Sequence, residues 1–299
     1  MDILLLGKDG QVGWELQRSL APLGRVIAPG LAQCDLADAE QLRSTVRAAR
    51  PALIVNAAAY TAVDKAEGDQ NLARAVNGLA PGILAEEAKK LGAWLVHYST
   101  DYVFDGTKPE PYTELDLPAP LSVYGSTKLE GEQAIRQSGC LHLILRTSWV
   151  FAARGGNFAK TILRLARERD SLKIVNDQFG APTSAELLAD ITALCVHDVM
   201  KSGGAARQGL YHVAAAGRTS WHGYARFVLE QAAQLGCELK CAPDNIEPIP
   251  TEAYPLPARR PANSMLDTAK LKREFGLNIP DWTYHAERML TELLTKENA

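Results

Sequence analysis

A doubly wound α/β fold, with a parallel sheet covered by helices on both faces, is the architecture this chain of 299 residues encodes. Three observations point to it. Short, wholly apolar runs alternate with helix-length amphipathic stretches from the first residues onward, a glycine-rich turn follows the first apolar run, and no internal repeat breaks the alternation. Strands buried on both faces read as continuous apolar runs, whereas a half-wet sheet would alternate polar and apolar residues.

Taken in order, the apolar run Ile3–Leu6 is the first strand, and the amphipathic stretch Gln11–Leu20 the first helix. Arg25–Ala28 is a strand, Asp38–Ala49 a helix, and Leu53–Asn56 a strand that follows the breaker Pro51. Asn77–Leu91 is helical and Trp94–Tyr98 is the next strand. Val123–Gln137, Leu141–Leu145, Asn157–Glu168 and Leu172–Val175 continue the alternation as helix, strand, helix, strand. Beyond about residue 176 the regularity weakens. Helices are expected at Ser184–Met200, Trp221–Leu235, Thr268–Phe275 and Thr283–Leu294, between proline-rich stretches such as Pro248-Ile249-Pro250. Residues 1–150, with additions up to about 176, therefore read as the main domain. Residues 177–299 read mainly as a smaller C-terminal substrate lobe, with chain returning to the main sheet between its parts, and the cleft between the two is the natural ligand site.

Composition excludes several classes of function. With 46% hydrophobic and 22% charged residues the chain is too apolar to be disordered. Lys and Arg total 32 against 35 acidic residues, a net charge of -3 without blocks of like charge, so no nucleic-acid partner is expected. Met1 runs straight into Asp2 and the first strand without a basic leader, and no run of apolar residues is long enough to span a bilayer. A cytoplasmic protein is expected. The five cysteines, at 34, 140, 195, 237 and 241, show no C-x-x-C pair and read as reduced residues; the six histidines show no metal-ligand spacing.

In such sheets ligands sit at the carboxyl ends of the strands. Gly7-Lys8-Asp9-Gly10-Gln11-Val12-Gly13 follows the first strand and opens a helix. Glycines let the turn tighten and the backbone approach a pyrophosphate, while the helix N-terminus supplies N–H donors and positive dipole. This makes the domain a Rossmann-type dinucleotide binder. The second strand runs out at Ala28-Pro29-Gly30, where a carboxylate would ordinarily grip the adenosine ribose. Gly30 leaves the 2′-phosphate of NADPH unrepelled, so NADPH is expected to be accepted, alongside NADH.

Tyr124 and Lys128 lie four apart on a helix and share a face. An ammonium beside a phenol favours the phenolate, which suits Tyr124 to give a proton to a carbonyl, and Lys128 can also bond a ribose. Ser99-Thr100-Asp101 ends the fourth strand and sets hydroxyls where negative charge would develop on a substrate oxygen. Arg259-Arg260 is the only adjacent arginine pair, and arginine forks match phosphate oxygens. Trp149, at a strand end, either packs on a sugar face or fills the core.

These motifs, together with NAAAYTAVDKAE at 56–67, HYSTDYVFDG at 97–106, PLSVYGSTKLEGE at 120–132, RTSWVF at 146–151, NDQFGAPT at 176–183 and ARRPANSMLDTAKL at 258–271, resemble the extended short-chain dehydrogenase/reductase family over essentially the whole chain. The resemblance is greatest to its nucleotide-sugar ketoreductases. It implies reduction of the 4-keto group of dTDP-4-dehydro-β-L-rhamnose by NADPH or NADH, with Tyr124 as proton donor, Thr100 positioning the keto oxygen, and Lys128 tuning Tyr124. It further implies cofactor contacts at Gly7, Gly10, Gln11, Val12, Gly13, Asp35, Leu36, Ala59, Tyr60, Thr61 and Lys128. Implied substrate contacts are Thr100, Asp101, Trp149, Arg259 and Arg260, with segments 176–183 and 259–264 facing the nucleotide. Some members are homodimers with Mg²⁺ held by glutamates, which correspond to Glu15, Glu186 and Glu292 here. Two other functions are compatible with the same first half: an NADP-binding regulatory subunit resembling the methionine adenosyltransferase β-subunit, and a nucleotide-sugar epimerase or dehydratase.

Overall fold

The computed structural model describes residues 1–201 and 204–297; residues 202, 203, 298 and 299, which fall in the expected 177–299 segment, lie outside it. At its centre is a six-stranded parallel sheet of β1 (Asp2–Leu6), β2 (Arg25–Ile27), β3 (Leu53–Asn56), β4 (Trp94–Thr100), β5 (Leu141–Thr147) and β6 (Gly209–His212), in the spatial order β6-β5-β4-β3-β1-β2. The chain starts in the middle of the sheet, winds outward through β2, then returns past β1 to build β3, β4, β5 and β6 on the other side. The reversal of direction falls between β1 and β3, the switch point at which such sheets hold ligands.

Successive strand residues point to opposite faces, so each strand feeds two cores. Ile3, Leu5, Leu53, Val55, Trp94, Val96, Leu143 and Leu145 enter one core with α1 (Gln11–Leu20) and the C-terminal helices; Leu4, Leu6, Ile54, Leu95 and Ile144 enter the other with α2 (Ala39–Ala49) and α3 (Ala80–Leu91). The apolar runs are apolar because both faces are covered.

Of the remaining helices, α4 (Val123–Ser138) lies against β4, and α5 (Phe158–Glu168), α6 (Ala185–Lys201) and α7 (Trp221–Gln234) follow. Two more, α8 (Ala269–Phe275) and α9 (Trp282–Glu297), complete the described chain. Side-chain oxygens cap the helices where sequence places them: Asp38 accepts from the Glu40 and Gln41 amides at the head of α2, Ser122 from Gly125 at α4, and Asn157 from Lys160 at α5. Beyond α5, Leu172–Val175 pairs with Ile246–Ile249 in a two-stranded parallel sheet of its own.

The helix expected over residues 77–91 starts earlier, at Gln70, and runs without a break through a π-helical turn at Ala75–Leu79 into Ala80–Leu91, with Pro81, which has no N–H to give, just after that turn. There the side chain of Asn77 serves the neighbouring loop: Oδ1 accepts from the Tyr60 amide at 2.9 Å and Nδ2 donates to its carbonyl at 3.0 Å.

Candidate active site

The glycine turn is built for close approach. Gly7 has φ +86°, and a Cβ there would sit 2.6 Å from the Ala58 amide nitrogen; one at Gly13 would sit 1.9 Å from the Gly7 carbonyl oxygen. Gly10 heads α1 without a capping side chain, and no acidic residue occupies the first turn, so the amides and the positive end of the helix remain available to an anion. Gln11 is held from the side by Asn157 Nδ2 at 3.2 Å, and Val12 packs into the core. Beyond β2, Asp35 accepts from the Ala37 amide at 2.9 Å and Leu36 is buried. Ala59, Tyr60 and Thr61 form the loop after β3 that Asn77 secures. A cation that sequence reasoning passed over, Lys8, lies beside Gly30: its Nζ would be 3.9 Å from a Cβ placed there.

One switch from strand to helix brings Thr100, Tyr124 and Lys128 together. Thr100 is the last residue of β4 and pairs in register with Thr147 at the end of β5. Its hydroxyl bonds Asp101 Oδ1 at 3.0 Å and the Tyr124 phenol. Spacing of four along α4 directs Tyr124, Lys128 and Glu132 toward β4. Lys128 Nζ is buried, donates to the Tyr98 carbonyl at 2.6 Å, and meets His97 Nε2 at 3.2 Å; His97 Nδ1 meets Asn56 Nδ2 at 3.1 Å. Below it Glu132 takes two hydrogen bonds from Arg146, at 2.9 and 2.6 Å, and one from Ser99. Asn56, His97, Glu132 and Arg146 thus support the site from three parallel strands and α4; each lies in one of the blocks that carry the family resemblance, but sequence reasoning gave none of them a role.

Burial dominates the electrostatics. It holds the Lys128 ammonium down to about 8 and keeps His97 neutral, well below its ordinary value, with the Lys128 charge adding to that effect. The expected lowering of the Tyr124 phenol is reversed: burial pushes it up to about 12, against a smaller opposing hydrogen bond from Thr100. Asp101, buried and bonded to Ser264 and Thr100, rises to about 6, again by burial first.

Trp149 lies two residues beyond Thr147 with φ +48°, and its ring stacks on Trp221 at 3.5 Å. It is half-buried, with the Trp221 ring on one face of the indole and the Gly180 backbone on the other, where a Cβ would come within 2.6 Å of Cε2. The arginine pair does not act as one fork. Arg260 is committed to Asp64 through two hydrogen bonds of 2.8 and 2.7 Å, while Arg259 is exposed and its guanidinium meets no partner among the described residues. Of the two, Arg260 already has its charge paired by Asp64, and Arg259 is the one left unpaired among the described residues.

Glu15, Glu186 and Glu292 line a cavity of about 820 Å³ between α1, α6 and α9. Glu186 Oε2 is 3.5 Å from both His285 Nδ1 and Arg288 Nε, and Glu15 lies 3.4 Å from Arg18. Among the described residues no group of three or more carboxylate, histidine or cysteine side chains is disposed to hold a metal ion.

The model of the family described as RmlD substrate binding domain matches residues 1–295. The dTDP-4-dehydrorhamnose reductase of Escherichia coli (strain K12) is 52% identical over 299 residues, covering 99% of each chain. That of Burkholderia thailandensis is 50% identical over 298 residues, covering 99% of this chain and 100% of its own. Among solved structures, dTDP-4-dehydrorhamnose reductase from Bacillus anthracis str. Ames in complex with NADP superposes with a TM-score of 0.87 at 32% identity, covering 97% of this chain and 99% of that one. A UDP-glucose 4-epimerase from Thermus thermophilus shares the fold, at TM-score 0.78 and 20% identity over 99% of each chain. On the full-length match of sequence and fold, the chain belongs to the dTDP-4-dehydrorhamnose reductase family.

Proposed function

We propose that this chain reduces the 4-keto group of dTDP-4-dehydro-β-L-rhamnose to give dTDP-β-L-rhamnose, using NADPH or NADH. The observation that carries the reading is the meeting of Thr100, Tyr124 and Lys128 at the carboxyl end of β4, beside a glycine cradle that a side chain would fill. The cradle and the uncapped head of α1 fit a dinucleotide pyrophosphate. When bound, the reduced nicotinamide supplies the hydride that C4 of the sugar accepts.

The chain's own residues handle the oxygen and the proton. Burial keeps the Tyr124 phenol protonated at neutral pH, as a proton donor must be, and the phenol gives that proton to the keto oxygen as it becomes an alcohol. Thr100 holds the same oxygen by a hydrogen bond. The Lys128 cation, one turn along α4, stabilises the phenolate left behind, and the Tyr98 carbonyl and His97 fix where that cation sits. Trp149 offers the exposed edge of its indole to the sugar and Asp101 its carboxyl group. Arg259, without a partner among the described residues, is the cation available to the diphosphate, and Lys8 beside Gly30 is placed for a 2′-phosphate.

The same reading extends to assembly and location. The half-exposed Trp14 and Tyr284 line the cavity between α1 and α9, and this face is the one we assign to a homodimer. A cytoplasmic location fits five free thiols and a nicotinamide cofactor. No described helix is long and apolar enough to cross a membrane. The test is consumption of NADPH by purified protein with dTDP-4-dehydrorhamnose and recovery of dTDP-rhamnose. Absence of turnover would sink the reading.

A further inference from the structure

A chain of donor and acceptor choices ties the head of α5 to the glycine turn. Asn157 is the N-cap of α5, and its Oδ1 accepts from the Lys160 amide at 3.1 Å. A backbone N–H can only donate, so the oxygen of this side chain is fixed on the helix and Nδ2 faces away from it. Nδ2 donates to the Ala152 carbonyl at 2.7 Å and to Gln11 Oε1 at 3.2 Å. An amide nitrogen cannot accept, so the Gln11 atom that meets it is the oxygen. The orientation of the Gln11 amide therefore follows from that of Asn157.

Gln11 is the first residue of α1, directly after Gly10, at the helix end whose backbone amides are free and whose dipole is positive. With Oε1 taken, its Nε2 carries two N–H groups that meet no protein acceptor among the described residues. Turned the other way, the same amide would present its oxygen to an anion held at that helix end. The loop that carries Asn157 is itself secured. Lys160 Nζ donates to the Ala153 and Gly155 carbonyls at 2.9 and 2.7 Å. Gly155, with φ +75°, lies so close to Gln11 that a Cβ there would sit 3.3 Å from Gln11 Cγ.

We infer that Asn157 is a positioning residue for the dinucleotide: by occupying Gln11 Oε1 it turns the two Nε2 N–H groups toward the pyrophosphate. This rests on the reading of Gln11 as a contact of the proposed cofactor site. A preset amide lowers the cost of ordering the site when the dinucleotide arrives. The pyrophosphate is common to NADPH and NADH, so the effect of Asn157 falls equally on both, unlike that of Lys8.

The test is a double-mutant cycle on the full-length protein, read by direct titration with NADPH and with NADH, by KM for dTDP-4-dehydrorhamnose and by Tm. Asn157→Ser keeps an oxygen to cap α5 but is too short to reach Gln11. It is expected to raise Kd about three- to tenfold for both cofactors, the scale of one hydrogen bond, while KM for the sugar stays within about twofold. Added to Gln11→Ala it should cause little further loss. Should Asn157→Ser not fold, Asn157→Thr, which also caps, goes through the same cycle with the same expectation. If Gln11→Ala weakens both cofactors but Asn157→Ser does not, if the two losses simply add, or if the loss is confined to NADPH, the positioning role is overturned while Gln11 remains a cofactor contact. If Gln11→Ala itself leaves both affinities unchanged, contact and positioning fall together, and wild-type binding of NADPH still upholds the dinucleotide site.

Discussion

Arg260 and Asp64, 196 residues apart in sequence, meet in a two-point ion pair, with Nη1 to Oδ1 at 2.8 Å and Nη2 to Oδ2 at 2.7 Å. The Ala258 amide adds a third bond to Oδ1 at 3.1 Å. The pair fastens the segment that carries Arg259 to the short helix Val63–Ala66 just beyond β3. It is a clasp between the late chain and the ligand edge of the sheet.

Opening that clasp should cost stability and substrate affinity together. Asp64→Asn is expected to destabilise by about 1 kcal/mol, because the pair is only partly shielded from water, and to lower Tm by roughly 2–4 °C. It should also raise KM for the nucleotide sugar by loosening Arg259. The Arg260 guanidinium holds the Asp64 carboxyl below its ordinary 3.8. The folded state therefore binds fewer protons than the unfolded one below that value, and the pair's contribution, full above pH 3.8, fades as pH falls. Thermal melts of wild type and Asp64→Asn between about pH 3 and 7 check both; curves that keep a constant offset would contradict it.

Cofactor choice should turn on Lys8 and Gly30. Removing one charge-assisted contact to a 2′-phosphate costs about 1.5–3 kcal/mol, so Lys8→Ala should lower kcat/KM for NADPH by roughly 10- to 100-fold and leave NADH nearly untouched. Gly30→Asp should shift preference further toward NADH, because the new carboxylate repels the phosphate and can bond the ribose. Equal losses for both cofactors would show that Lys8 does not read the phosphate.

Asp101 should impose a pH limb. Burial raises its carboxyl to about 6 from an ordinary 3.8. The folded state then holds a proton that the unfolded chain has released, so stability is lost as pH rises from 3.8 to about 6, by about 2–3 kcal/mol in total. Asp101→Asn, which stays neutral, should flatten that loss. It should also remove any inflection near pH 6 from the kcat/KM profile, since the ionising carboxylate bonds Thr100 directly. An inflection that survives the substitution assigns it elsewhere.

Much of this site was legible before any coordinates. Local order wrote the glycine turn, the strand ending in Thr100 and the helix carrying Tyr124 and Lys128, because each depends on near neighbours. Gln11–Leu20, Leu53–Asn56 and Leu172–Val175 occur with the expected bounds. Contacts between distant segments left no such trace. The strand Gly209–His212 joins the sheet only because Leu143–Arg146 offers it an open edge, and four residues with glycine and histidine among them make no apolar run. The pairing of Arg260 with Asp64, 196 residues away, is one such contact. The lowering of the Tyr124 phenol by Lys128 was a two-body argument, and burial, which no spacing reveals, outweighs it.

The central claim is that Tyr124 delivers the proton in an NADPH-dependent reduction of a dTDP-4-keto sugar. The direct measurement is kcat for dTDP-4-dehydrorhamnose reduction by wild type and Tyr124→Phe, followed by loss of reduced-nicotinamide absorbance, with NADPH affinity measured alongside. A fall of roughly 10²- to 10⁴-fold in kcat at unchanged NADPH affinity is the predicted result. Turnover by Tyr124→Phe at the wild-type rate would contradict it.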